Sequence, residues 1–417
     1  MLRRDGPGYA SGAGFLMRIH RMGTTVRRWL AAVGGPCVFA LGTAASATPF
    51  VPADDAQVLE RLPGRSGAQV RELARVRVAA AAAPADVAAA VALADAYYRV
   101  ARSDGDPRYL GYAQAALARW WKDANAPTAV LVMRATLLQS NHAFDAALAD
   151  LDRAIAREPR NGRALLVRAT VLTVQGKYAA ARAECPRLFG LAPEFYVFAC
   201  VAAIDGLNGQ SAVAVAALER GLSALPAGDI AGRAWGESLL GELKQRRGDA
   251  AAEAHFRAAL AADPRDLYTL GAYGDWLLDR GRAAEVLPLA GGDPRVDALL
   301  LRVALAQKAL KRAEAGASIA TLRARFAASR MRGDTVHRRE EARFELHLNG
   351  DPKAALRLAR DNWTVQREPA DLRILAEAAA ATGDAPAMDA VRQWLAQTGL
   401  ECPAVAALVD ADTGGRR

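Results

Sequence analysis

Between residues 128 and 161 the chain reads TAVLVMRATLLQSNHAFDAALADLDRAIAREPRN. Leu131, Ala135 and Leu138 recur at helical spacing on one face. Phe144, Ala147, Leu151, Ala154 and Ile155 form a second such face. The polar step at Asn141-His142 separates the two runs. Pro159 closes the second, because proline cannot continue a helical hydrogen-bond ladder. The pattern predicts two antiparallel helices joined by a tight turn. Ala135, Ala147 and Ala154 supply the small side chains that let them approach closely.

The arrangement then returns. Leu165, Ala169, Leu172, Gly176, Tyr178, Ala181 and Pro193 repeat it, as do Ala202, Gly209, Leu218, Leu222 and Pro226. Leu240-Gly241, Gly248-Asp249, Phe256, Ala259, Leu260 and Pro264 follow, then Tyr273-Gly274 and Gly281. Pro159, Pro193, Pro226 and Pro264 fall at near-regular steps, each predicted to mark the end of a second helix. Weaker copies flank this core, with turn signals at Gly350-Asp351 and Gly383-Asp384.

The spacing, the small residues and the terminal prolines resemble the tetratricopeptide repeat of about 34 residues. The resemblance implies an all-α fold, a right-handed α-solenoid of antiparallel helix pairs. About nine pairs are expected over 86–398, clearest over 128–264. A capping segment is expected at 48–85, and a C-terminal cap and tail at 399–417. In such stacks the first helix of each pair lines a concave groove. The resemblance therefore places a partner-binding face at Asp95, Tyr98, Arg99, Thr136, Gln139, Arg163, Thr170 and Thr173. It continues through Glu242, Gln245, Arg246, Tyr268, Asp275 and Asp279 to His337, Glu340, Phe344 and His347. This lining is polar and mixed in charge. It lacks the clustered lysines and asparagines with which some such repeats grip carboxylate tails.

Composition agrees with an all-helical chain: 52% of residues are hydrophobic but only 6% aromatic, with alanine the dominant apolar residue. The net charge of +9 invites a nucleic-acid reading. Residues 1–47 carry six arginines against one acid, and setting them aside leaves 48 basic and 44 acidic residues, a net +4. That balance has no concentrated basic stripe, and nucleic acid is not an expected partner.

The leader has three parts. Arg27-Arg28 precede an apolar run from Leu30 to Leu41, and Ala45-Ser46-Ala47 supply small residues for cleavage. Residues 1–47 therefore read as an over-extended start plus a Sec-type signal peptide, with Met22 the natural first residue and cleavage after Ala47. The apolar run is too short to span a bilayer comfortably, and no stable membrane span is expected after cleavage. The mature chain is expected to be periplasmic or secreted.

Three cysteines remain after the leader. Cys185 lies eight residues before Pro193 and Cys200 seven after it, so two antiparallel helices joined there would bring them level. A disulfide fits an oxidising compartment, the alternative being two small buried thiols. Cys402 has no evident partner. The cysteines lack the short paired spacing of a zinc site. His337 and His347, ten residues apart, would stand about 15 Å apart along a helix and could not share one ion. No serine elbow, HExxH, phosphate loop or dinucleotide fingerprint occurs, and no cofactor is expected. The chain thus reads as a non-catalytic scaffold or adaptor of the cell envelope, binding another protein or an extended peptide. The alternative is a regulatory or substrate-binding subunit of an envelope polysaccharide or cell-wall synthesis complex.

Overall fold

The computed structural model describes residues 67–289 and 295–414, together with 54, 56 and 57. The leader and its cleavage position at Ala47 lie outside the described residues. The chain divides into two compact units, Met1–Gly64 and Arg65–Arg417. In the first, the described residues form a turn, with the Ala56 N–H donating to the Asp54 carboxylate at 2.8 Å. The second unit holds a stack of helices.

α1 (Gly67–Ala82) comes first, and nine antiparallel pairs follow among the described residues. The first four are α2/α3 (Val87–Asp104, Arg108–Ala116), α4/α5 (Thr128–Ser140, Phe144–Arg157), α6/α7 (Gly162–Val174, Tyr178–Glu184) and α8/α9 (Glu194–Asp205, Ser211–Ser223). Next are α10/α11 (Ile230–Arg246, Ala252–Ala262), α12/α13 (Leu267–Asp279, Ala283–Leu289) and α14/α15 (Asp297–Ala309, Ala315–Met331). The last are α16/α17 (Arg338–Phe344, Pro352–Trp363) and α18/α19 (Pro369–Thr382, Ala385–Thr398), before α20 (Pro403–Gly414). The architecture is an all-α solenoid of antiparallel helix pairs.

Local chemistry sets these boundaries. Asp86, Asn161, Asp229, Asp266, Asp351 and Asp384 each cap a helix, their side chains accepting from backbone N–H groups of the first turn. Within a pair, the turn passes through one left-handed residue. Gly176 and Gly209 do this at φ +73° and +71°, while His142 and Lys311 take the same step at +55° and +54°. Ala135, Ala147 and Ala154 are fully buried where α4 meets α5. That pair is pinned further by Arg134, which reaches both oxygens of buried Asp150 at 2.5 and 2.7 Å and donates to the carbonyls of Trp120, Trp121 and Asp123.

The stack closes on itself. Arg102 of α2 approaches Asp266, the cap of α12, at 3.8 Å, so the first pair meets the sixth. The ninth pair meets the third and fourth. Tyr178 packs edge-on against Trp394 at 5.8 Å, and the Arg367 N–H donates to the Val174 carbonyl at 2.7 Å. The backbones of Gly209 and Gly399 touch without intervening side chains. One apolar cluster accordingly runs from Leu165 and Ile204 through to Ile374, Val391 and Val405. Cys185 and Cys200 are joined within it, with Cα atoms 5.7 Å apart, tying the 3₁₀ turn after α7 to α8.

Candidate functional site

Closure turns the concave groove into a lumen of about 1180 Å³. First helices of all nine pairs contribute to its wall, from Tyr98 of α2 to Glu377 of α18, together with Cys402 and Pro403 before α20. Helical periodicity explains the convergence, since residues three and four apart on each first helix share its inner face.

Of the groove residues expected from sequence, Tyr98, Thr136, Gln139, Thr170, Thr173, Glu242, Gln245, Arg246, Tyr268, Asp275, Asp279 and Glu340 line this space. Asp95, Arg99 and Arg163 do not. They form their own surface group, with Asp95 accepting from Arg163 at 3.0 Å and facing Arg99 at 3.5 Å. His337 is exposed at the start of α16, outside the lumen wall. His347 stands behind the wall, its Nε2 2.8 Å from Glu377. Phe344 is corrected outright. It is 1% exposed and packs on Phe326 with ring centres 5.4 Å apart. The lumen face of α16 is carried by Arg339, Glu340 and Arg343, while Glu341, Phe344 and Leu348 turn into the protein. The backbone after Phe344 is a π-helical turn over Glu345–Asn349, which breaks the single face that joined His337 to His347.

The lumen has two unlike walls. One, from α6, α8 and α10, is apolar and aromatic: Leu166, Val167, Ile204, Leu207, and Tyr196 stacked on Trp235 at 6.0 Å. The other, from α12, α14, α16 and α18, is a lattice of ion pairs. Asp275 accepts from Arg302 at 2.5 Å and Arg343 at 2.6 Å. Asp279 accepts twice from Arg373, at 2.7 and 2.8 Å. Arg373 also reaches Glu377 at 2.7 Å, and Arg339 reaches Glu368 at 2.7 Å. Sequence reasoning missed these arginines because the later repeats depart furthest from the pattern. Their signal was their position, on first helices at the spacing of Asp275 and Asp279.

Burial works to raise Asp275, but Arg302 and Arg343 outweigh it and hold the carboxyl at about 2. Burial is likewise overcome at Glu377, by His347 and Arg373, leaving it at about 2. Two acids go the other way. Asp371, completely buried behind Arg339, is pushed up to about 6 by burial. Glu242 is raised by burial against the pull of Arg246 and of the Tyr268 hydroxyl, which donates to it at 2.6 Å. Tyr268 is 52% exposed, and it faces the lumen. Its ring is open to the lumen, but desolvation of the hydroxyl among the lumen helices, with Glu242 beside it, pushes the hydroxyl well above the ordinary tyrosine range. Among the described residues, no group of three or more His, Cys, Asp or Glu could hold a metal ion. No described helix is long and apolar enough to cross a membrane.

No family model matches the chain, and no curated protein matches it. Solved structures do overlap it. A tetratricopeptide repeat protein from Parabacteroides merdae aligns at 13% identity over 75% of this chain and 99% of its own, with a TM-score of 0.33. The Naa15/Naa10 structure bound to HypK-THB aligns at 16% identity over 83% of this chain, which spans 60% of that one, with a TM-score of 0.29. Yeast Tom70 aligns at 11% identity over 79% of this chain and 88% of its own, with a TM-score of 0.26. Overlaps of this size carry no argument about what the lumen holds.

Proposed function

We propose that this chain is a non-catalytic scaffold of the cell envelope, which holds an extended segment of another protein in its lumen. One observation carries the reading: first helices of all nine pairs converge on one shared space with an apolar wall and an ion-paired wall. At about 1180 Å³ it exceeds the 300–1,000 Å³ common for small-molecule pockets. A space of this size walled by nine helices suits an extended segment better than a folded domain. The envelope location is supported by the three-part leader and by the Cys185–Cys200 bridge, which suits an oxidising compartment.

Photo-crosslinking from the envelope tests this. A crosslinker placed at Thr170, in the lumen wall, should capture one defined partner, and one placed at exposed Met331 should not. N-terminal sequencing of the recovered chain should begin at Thr48. Capture from Met331 alone, or recovery of a cytosolic chain that retains residues 22–47, would overturn the reading.

A further inference from the structure

The charges around the lumen are already matched to one another. Among the described residues, eight acids and seven arginines face it, and no lysine does. Burial pushes Glu242 toward its protonated form, which narrows that difference of one. Every one of these acids accepts from a neighbour. Besides the pairs of the α12–α18 wall, Asp263 accepts from the Arg265 N–H and Asp266 from the Thr269 N–H, both at 3.2 Å. Glu340 accepts from Arg339 at 3.2 Å, and Glu242 from the Tyr268 hydroxyl at 2.6 Å. Arg102 has Asp266 at 3.8 Å, Arg280 lies over the Trp276 ring at 4.0 Å, and Arg246 is drawn to Glu242 one turn back. A further charge brought into this lattice would lose its water and gain no free counter-charge.

Neutral polar groups are what stays available. Gln139 of α4 and Gln245 of α10 line the lumen, and their side-chain amides make no hydrogen bond among the described residues. Each amide offers both donors and an acceptor. On α6 the Thr170 and Thr173 hydroxyls donate back to the Leu166 and Ala169 carbonyls at 3.0 and 2.7 Å, which leaves their oxygens as acceptors. These groups share the lumen with Leu166, Val167 and the stacked Tyr196–Trp235 pair. Unpaired amides beside an apolar wall match a peptide backbone whose side chains are uncharged. A glycan fits less well, because its many hydroxyls call for ionised side chains with hydrogen-bonding capacity to spare, and here those are engaged.

We propose that the lumen selects an uncharged peptide segment, with its apolar side chains on the Tyr196–Trp235 wall and its backbone hydrogen-bonded to Gln139 and Gln245. This rests on the reading of the lumen as a binding site and names the chemistry of its occupant. Charge matching works by exclusion: a segment carrying Lys, Arg, Asp or Glu is rejected because it would leave a charge unpaired.

Calorimetric titration of the full chain tests it with short peptides, acetylated at one end and amidated at the other. The first probe alternates leucine and threonine around a central phenylalanine, and two others carry glutamate or lysine at the centre. The phenylalanine probe should bind about tenfold or more tightly than either charged probe. Its affinity should change less than about twofold between about 0.05 and 0.5 M salt. Gln139→Ala combined with Gln245→Ala should weaken it about tenfold and leave the melt unchanged, since neither amide bonds within the molecule. Equal or tighter binding of a charged probe, a steep salt dependence, or unchanged affinity in the double variant would each overturn the assignment. So would binding of chitohexaose, or of nothing, where the phenylalanine probe fails to bind. Crosslinking from Thr170 to a charged segment of one defined partner would sink this proposal while leaving the scaffold reading in place.

Discussion

Replacing Asp275 with Asn tests whether the ion-paired wall of the lumen holds the later pairs together. Asp275 on α12 accepts from Arg302 on α14 at 2.5 Å and from Arg343 on α16 at 2.6 Å, so one carboxylate ties three helices. Its side chain is 20% exposed, and screening by water is limited. The carboxyl moves from an ordinary 3.8 to about 2, nearly two units. At about 1.4 kcal/mol per unit, the charged form contributes about 2–3 kcal/mol in the folded chain. The sign follows from the lowered value. This stability is fully present above the unfolded value of 3.8 and is lost as pH falls toward 2. Long stacks can open piecemeal, so a local probe serves better than a global melt. Native-state hydrogen exchange at pH 7 should show the amides of α12, α14 and α16 exchanging up to about a hundredfold faster in Asp275→Asn, with α4 and α5 unchanged. Unaltered exchange in those three helices, or acceleration spread evenly over the molecule, would refute the tie.

Other consequences are equally open to measurement. Gly209 holds φ +71°, and a β-carbon there would lie 2.7 Å from the Gly399 carbonyl oxygen. Gly209→Ala should therefore cost about 1–3 kcal/mol, and Gly248→Ala, at φ +74° with open space around it, about 1 kcal/mol. Equal melting temperatures for the two variants would contradict the contact. Asp371, raised to about 6, binds protons in the folded chain that it has shed when unfolded. It should lower stability by up to about 3 kcal/mol as pH rises from 3.8 to about 6. Asp371→Asn should remove that slope from urea titrations, and persistence of the slope would count against the assignment. The Cys185–Cys200 bridge closes a 15-residue span. Replacing both cysteines with serine should cost about 3 kcal/mol in the chain-entropy model, read as a lower unfolding midpoint matching that of the reduced parent.

The helix pairs were legible because they are local. Pro159, Pro226 and Pro264 follow the second helices that end at Arg157, Ser223 and Ala262. The turn at Asn141-His142 is where the chain reverses. Closure was not legible, because apolar spacing encodes how neighbours pack and says nothing about how far the stack rotates per pair. Asp279 looked like a free groove residue, but its partner Arg373 lies 94 positions away. Phe344 was assigned to the groove because it stands four residues after Glu340, but that spacing does not say which edge of the shared face turns toward Phe326.

Contact between the ninth pair and the third and fourth also governs the order in which this chain can complete its fold. In an open solenoid each repeat meets only its neighbours, and the stack can grow as the chain emerges. Here the Tyr178 surface that receives Trp394, and the cluster that Ile374 and Val391 complete, stay bare until some 200 further residues have followed. The Gly176 turn, later covered by Trp394, waits equally long. A chain that threads an export channel amino end first would hold this surface uncovered through most of its passage. The waiting segment is apolar, so it is where a holding chaperone would grip and where stalled molecules would first associate.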